Sequence, residues 1–433
     1  MVGRIAFVLV MGLAVAAPTY AQSDSIPVVT LLEARRRAAT IDPAAVAARG
    51  DVEMAVWERR AAYTGLFTPI VTAATSYTHF SREFFNFGTG QITPNATSAT
   101  LDARYELFGI SKFTELKRSR ASLESAEASE TAASFRTALA TDAAYFAVLA
   151  NRALAGVATD RLRRAEEQFV IARARVSAGE AISTDSLQLL LEMNRAQLAL
   201  LRSDSALAVS RLRLGRHVGL SGAADAAPVD TALPPALPLS LDEAIAEMRQ
   251  RGPELEAVRA AERSADAVLA AERGGYLPDV TVGATTGAYD QDFFPSALRR
   301  SQIGITVSLP IWNGGQREME VARARADRNV ARAERQDRER GAAELIAEAY
   351  HGYETARAGI ELAQVGVAVA TESYRVQGAR HREGATTILD LLEAQVALSE
   401  AESTLVQSRY AAQLALAQLE ALLGRRVFDT PER

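Results

Sequence analysis

Residues 302–311 read QIGITVSLPI, in which Ile303, Ile305, Val307 and Leu309 alternate with Gln302, Gly304, Thr306 and Ser308. A period of two gives a strand one greasy and one polar face. Residues 100–108 do the same, setting Leu101, Ala103, Tyr105 and Leu107 against Thr100, Asp102, Arg104 and Glu106. Residues 70–80 and 280–289 are the other strand candidates. Runs of about ten residues suit a half-buried strand of a soluble sheet, and equally a tilted strand with lipid outside and water inside. The aromatic residues favour the membrane. More than half of them fall within 63–113 and 276–312, near strand ends and in the loops. Tyr77, Phe80, Phe84, Phe85, Phe87, Tyr289, Phe293 and Phe294 gather toward one end, and Phe67, Phe108, Tyr276 and Trp312 toward the other. Two such belts are what the two membrane–water interfaces select. Four strands cannot close a barrel, and an open edge in lipid leaves N–H and C=O groups without partners, so several chains must share one barrel.

Around these strands the chain repeats itself. Residues 30–43 (TLLEARRRAATIDP) align with 240–253 (SLDEAIAEMRQRGP), pairing Glu33 with Glu243, Ala34 with Ala244 and Pro43 with Pro253. In each half a helix opens at a capping residue, Thr30 or Ser240, and runs toward a proline, Pro69 or Pro278, where the period changes. The expected divisions are a leader at 1–21, a first repeat at 28–222 (helix, β-hairpin 68–108, long helical hairpin 111–215) and a linker at 223–238. A second repeat at 239–424 (helix, β-hairpin 277–312, long helical hairpin 315–423) and a tail at 425–433 complete the chain. The leader has Arg4, an apolar run from Ile5 to Ala17 and small residues around Ala21. That is the pattern of a secretory signal peptide, too short for a spanning helix.

Segments from Ser111 to about Ala178, Thr184 to Leu214, Gly315 to about His381 and Thr387 to Leu423 hold no Pro and little Gly. They read as helices, the longer ones about 100 Å long at 1.5 Å per residue. The last has a seven-residue seam of Leu391, Leu398, Leu405, Ala412 and Leu419 beside Ala394, Ala401, Ser408, Ala415 and Leu422. Its counterpart sets Met193, Leu200, Leu207 and Leu214 beside Ala196, Ser203 and Ser210. Large against small at heptad spacing predicts antiparallel coiled coils with close approach.

Composition narrows the function. A net charge of −5 leaves no excess positive potential for nucleic acid, and the absence of Cys excludes thiol and Cys-ligated metal chemistry. The only lysines, Lys112 and Lys117, lie outside any phosphate-binding loop. His79, His217, His351 and His381 are far apart and lack a second ligand at metal-binding spacing. Neither an enzyme nor a cofactor is expected.

Four motifs carry a resemblance: LPIWNGG at 309–315 and GATTILDLLEAQ at 384–395, with degenerate versions YELFGIS at 105–111 and GEAISTDSLQ at 179–188. With them the chain resembles the TolC-like outer membrane efflux proteins over nearly its whole mature length. The resemblance implies an α+β membrane protein and a homotrimer, with four strands per chain forming a 12-stranded transmembrane β-barrel continued by an α-barrel of long helices across the periplasm. It further implies an outer membrane exit duct of tripartite efflux or type I secretion, working with a periplasmic adaptor and an inner membrane transporter. Docking is expected at the helical tips marked by Gly179 and Gly384. Tip carboxylates that gate the family's pore match Asp390, Glu393 and Asp185. Where some members have an Arg two residues after the tip Gly and a Tyr three before it, this chain has Thr386 and His381. Capping is the alternative role for Asp390, through a box with Thr387. The competing whole-chain reading is a periplasmic helical-hairpin adaptor or tether, which shares the leader and coiled coil but lacks four amphipathic strands.

Overall fold

The computed structural model describes residues 26–87, 90–179, 182–229, 233–295 and 298–428. The leader expected at 1–21 and the end of the tail lie outside them. The first repeat runs β1 (Val28–Val29), α1 (Leu31–Ile41), α2 (Pro43–Gly65), β2 (Ile70–Asn86), β3 (Gln91–Phe108), α3 (Ile110–Ser177) and α4 (Ser183–His217). After β4 (Asp225–Ala226), the second follows the same order with α5 (Leu241–Arg251), α6 (Pro253–Gly274), β5 (Asp279–Asp290), β6 (Leu298–Ser308), α7 (Gln316–Arg382) and α8 (Ile388–Leu423).

The single helix expected between Thr30 and Pro69, and its partner between Ser240 and Pro278, are each two helices. The paired prolines explain the break. Pro43 and Pro253 occupy the first turn of α2 and α6, where a missing N–H costs nothing, and their rings exclude continuation from α1 and α5. Thr30 caps α1 by accepting from Glu33 N, and Ser240 and Glu243 form a reciprocal capping box on α5. The long helices match the expected spans closely: α3 has 68 residues and α7 has 67.

Strand lengths differ between the hairpins. β2 and β3 hold 17 and 18 residues, whereas β5 and β6 hold 12 and 11. The first hairpin thus extends beyond the expected ends at Phe80 and Thr100. Pro94 hides the extension from a periodicity reading: the ladder pairs His79 with Asn95 and then Phe84 with Thr93, so residues 80–83 bulge opposite a proline that has no N–H to give. Conversely, β6 stops at Ser308, ahead of Pro310, and leaves Leu309 just past the strand.

Near the sheet the helices pack in the row α2, α3, α6, α7, and away from it in the row α4, α3, α8, α7. Much of the buried core is alanine, including Ala34, Ala132, Ala165, Ala196, Ala260 and Ala342, which lets the axes approach closely. The 223–238 segment is more than a linker. Its β4 pairs in parallel with β1, and both repeats hold the segment down. On the first side Tyr145 Oη donates to Ala227 O at 2.7 Å, and Arg152 and Arg211 both bind the Asp225 carboxylate. On the second, Tyr353 Oη donates to Pro235 O at 2.7 Å and Arg357 Nε to Pro234 O at 3.0 Å. Burial opposes ionisation of Asp225, but the bonds from Arg211 and Arg152 outweigh it and hold the carboxyl below its ordinary range.

Candidate functional site

The residues singled out in the sequence fall in two regions, the sheet and the hairpin tips. The sheet is antiparallel in the order β2–β3–β5–β6. Its register aligns Val71, Ala103, Ala284 and Ile303 in one row, and Tyr105, Val282 and Ile305 in another. The alternation noted in single strands thus sums to a continuous greasy face. Ile303, Ile305 and Val307 are 81, 70 and 68% exposed, Leu101, Leu107 and Leu309 are also exposed, and none of the described residues covers them. On the other face Asp102, Thr285 and Gln302 stand abreast, with Thr285 Oγ1 donating to Asp102 Oδ1 at 2.6 Å.

Tyr105 shares the greasy face but is half-buried at its rim. Its hydroxyl donates to Leu66 O at 2.7 Å, and Lys112 Nζ lies 4.2 Å from the ring centroid. The second repeat has a similar junction: the Arg317 guanidinium sits 4.0 Å from the Tyr276 centroid and donates to Pro310 O at 2.8 Å. In both, a cation over a tyrosine fixes the elbow between sheet and long helix.

At the far end α3 and α7 stop at Gly179 and Gly384, whose φ angles of 77° and 73° fall in the left-handed region that favours glycine. Thr387 then caps α8. Asp390 Oδ2 accepts from Thr387 N at 3.0 Å and from the hydroxyls of Thr387 and Thr386, each at 2.7 Å. These bonds, the Thr387 hydroxyl foremost, pull the Asp390 pKa down to about 2. In the first tip the position of Thr387 is taken by Ile182, which offers no side-chain cap. Among the described residues no hydrogen bond or ion pair reaches the Asp185 carboxylate.

Asp185, His381, Thr386, Gly179 and Gly384 all line one cleft of about 710 Å³ between the two tips, with Arg175 on its wall. His381 Nδ1 and Gln188 Oε1 are buried there without a partner among the described residues. Asp390 does not line this cleft. Glu393 borders a neighbouring groove of about 650 Å³, beside Glu192, Arg195 and Glu400. Among the described residues no group of three or more His, Cys, Asp or Glu could hold a metal ion, and no helix is long and apolar enough to cross a membrane.

One set of residues escaped the sequence reading. Leu187, Leu191, Leu198, Leu201 and Leu212 form a second heptad stripe along α4, and Leu362, Val365, Val369 and Val376 form one along α7. All are exposed, and none of the described residues covers these stripes. The signal was a 3–4 spacing offset from the buried seam, easily absorbed into it. Charged pairs also tie the helices together: Arg161 grips the buried Glu192 at 2.6 Å, and Arg164 links α3 to Glu402 of α8 at 2.9 Å.

Residues 244–425 match the sequence model of a family described as outer membrane efflux protein, and the resemblance to TolC-like proteins holds. The chain is 26% identical over 291 residues to the outer membrane efflux protein BepC of Brucella suis, an alignment covering 66% of this chain and 63% of BepC. It thus spans just under two thirds of that relative. Its fold is that of the CmeC outer membrane channel of Campylobacter jejuni, with a TM-score of 0.78 at 16% identity, covering 91% of this chain and 85% of CmeC. The outer membrane protein VceC of Vibrio cholerae gives a TM-score of 0.75 at 19% identity over 92% of this chain and 97% of VceC.

Proposed function

From a second repeat of the efflux family and a whole chain with the fold of solved outer membrane channels, we propose that this protein is an outer membrane exit duct. It passes substrates from a periplasmic adaptor and an inner membrane transporter, by tripartite efflux or type I secretion, and is no enzyme. One observation carries the reading: every open edge lies on one of two sides. The first repeat supplies the outermost strand β2 and the edge helices α2 and α4; the second supplies β6 and α7. The exposed stripes of α4 and α7 and the unpaired edges of β2 and β6 would be covered together if each chain's first-repeat side met the next chain's second-repeat side. Such a heterologous contact closes into a ring. Family resemblance supplies three as the ring number, hence twelve strands, with Leu101, Ala103, Ile303, Ile305 and Val307 facing lipid and Leu107, Leu309 and Tyr105 toward its rim. The helical-hairpin adaptor reading lacks any use for this sheet.

The tips then meet at the periplasmic end and form the gate. Asp390 and Glu393 are three residues apart on α8, so three copies bring six carboxylates toward the axis, Asp390 as an ionised group held by its cap. Asp185, His381 and Thr386 line the cleft between the two hairpins within a chain, and Gly179 and Gly384 mark the adaptor's docking turns. The test is single-channel conductance of the full mature chain in planar bilayers, with mass measured in detergent. A trimeric, cation-selective pore whose selectivity and divalent block fall in the Asp390→Ala, Glu393→Ala double variant is expected. A compact monomer that is soluble without detergent overturns the duct, and unchanged selectivity in the double variant moves the gate elsewhere.

A further inference from the structure

The buried face of α8 near the tip runs through Ile388, Leu391, Gln395, Leu398 and Ser399 at helical spacing. Within it the long polar side chain of Gln395 is fully enclosed, at 0% exposure. Neither its Nε2 nor its Oε1 has a hydrogen-bond partner among the described residues. Leu391, four residues before it, belongs to an apolar cluster with Ile388, Leu189 and Ala172. Ser399, four residues after it, accepts instead from Arg164 Nη2 at 3.3 Å.

Both flanks of Gln395 tie the two hairpins together. On the tip side the apolar cluster joins α3 and α4 to α8; on the other side Arg164 of α3 binds Ser399 and, at 2.9 Å, Glu402 of α8. The packing of one hairpin on the other is thus what encloses the amide. A primary amide has two N–H donors and an acceptor oxygen, and enclosing them unpaired is unfavourable, whereas an apolar side chain of similar shape carries no such cost. Parting α8 from α3 opens this seam to water and relieves the amide. An equilibrium between two arrangements is shifted only by an interaction that differs between them, and Gln395 supplies one: it opposes the packed arrangement and is neutral in the parted one.

We propose that Gln395 is a built-in bias toward opening: unpartnered while the hairpins pack and hydrated when they part, it keeps the closed tip from being over-stabilised by the seam around it. The proposal rests on the gate reading and takes the parting of the hairpins as the opening step. The experiment uses the full mature chain, with single-channel recording in planar bilayers and urea unfolding in vesicles. Gln395→Met, which keeps the unbranched shape without the amide, should raise the unfolding midpoint and lower the open-to-closed ratio about tenfold, and Gln395→Leu should act in the same direction. Gln407→Met, at an exposed position of the same helix, should change neither. Glu402→Gln, which weakens the clamp from Arg164, should raise the ratio. A midpoint that falls in both Gln395 variants shows an amide already bonded in the packed state and overturns the proposal. An unchanged ratio in both, with Glu402→Gln still raising it, overturns the proposal and leaves the gate where it is. A ratio that answers to none of these substitutions removes the gate from the hairpin seam, and the proposal with it.

Discussion

The two hairpin tips keep one spacing from glycine to aspartate and differ at the capping residue between them. Each ends a long helix at a left-handed glycine, turns, and places an aspartate in the first turn of the returning helix, Asp185 in α4 and Asp390 in α8. In the second tip the capping position is Thr387, and Asp390 is tied into a reciprocal box; in the first it is Ile182, and Asp185 is left open to the cleft it shares with His381. Position in a repeat therefore does not fix the role of a carboxylate. The neighbour three residues earlier decides whether it secures a helix or is available to something else. Repetition supplied the scaffold twice, and local side chains gave the copies different work.

The largest test of that equivalence lies in the sheet, where the repeats should contribute alike. Ala103 and Ile303 belong to one row on the greasy face. Arginine at either should cost about 2–4 kcal/mol in lipid, against little at Thr306 on the polar face, read from urea unfolding in vesicles. A cost at one and none at the other breaks the symmetry of the hairpins. A smaller difference is expected at the strap. Arg152 binds both Asp225 and Ala226 O, while Arg357 grips the carbonyl of Pro234. Arg152→Ala leaves a half-buried carboxylate with Arg211 alone, an expected loss of about 2 kcal/mol against about 1 kcal/mol for Arg357→Ala. Equal losses in the unfolding midpoints would show that the Asp225 pair adds nothing beyond a neutral contact.

At the tips the copies can be exchanged. Thr387→Ile should remove the cap from α8 at a cost of about 1 kcal/mol, and Ile182→Thr should add one to α4 by a similar amount. Hydrogen exchange at residues 388–391 and 183–186 reads both, with protection falling in the first variant and rising in the second. Unchanged protection in either would mean that packing between the tips, and not capping, holds these turns.

Most of the architecture was legible because it is periodic: a period of two for the strands, seven for the helical seams, and a duplicated proline and capping signal for the repeats. The misses share a cause. Pro94 interrupts the alternation that extends β2 and β3, so one residue concealed a bulge rather than an end. Pro43 and Pro253 were visible as a repeat yet read through as helix. The strap at 223–238 has no period because its partners are Tyr145, Arg152, Tyr353 and Arg357 on distant helices, and only the fold brings them near. The edge stripes of α4 and α7 were masked by the stronger buried seams beside them. Among site residues, Asp185, His381 and Thr386 do meet in one cleft, and Asp390 serves first as a cap. That division turns on Ile182 against Thr387, a detail no repeat alignment weighs.

The subtlest consequence concerns acid. The Asp390 carboxyl is held at about 2, below its ordinary 3.8, by bonds that only its ionised form accepts in full. A carboxyl depressed on folding contributes its stabilisation fully above the ordinary value and loses it as pH falls through the depressed one. The α8 cap should therefore remain intact through mildly acid pH and release between about 4 and 2. The Asp390 side-chain carbon shift in NMR of the detergent-solubilised protein follows this directly. In Thr387→Ile the strongest of the bonds is gone, so the titration should move up toward the ordinary value while Thr386 still holds part of the shift. Thr386→Ala should move it less, because the Thr387 hydroxyl depresses the carboxyl more than the Thr386 hydroxyl does. The reverse order would place the anchor of this tip on Thr386 and not on the capping residue Thr387.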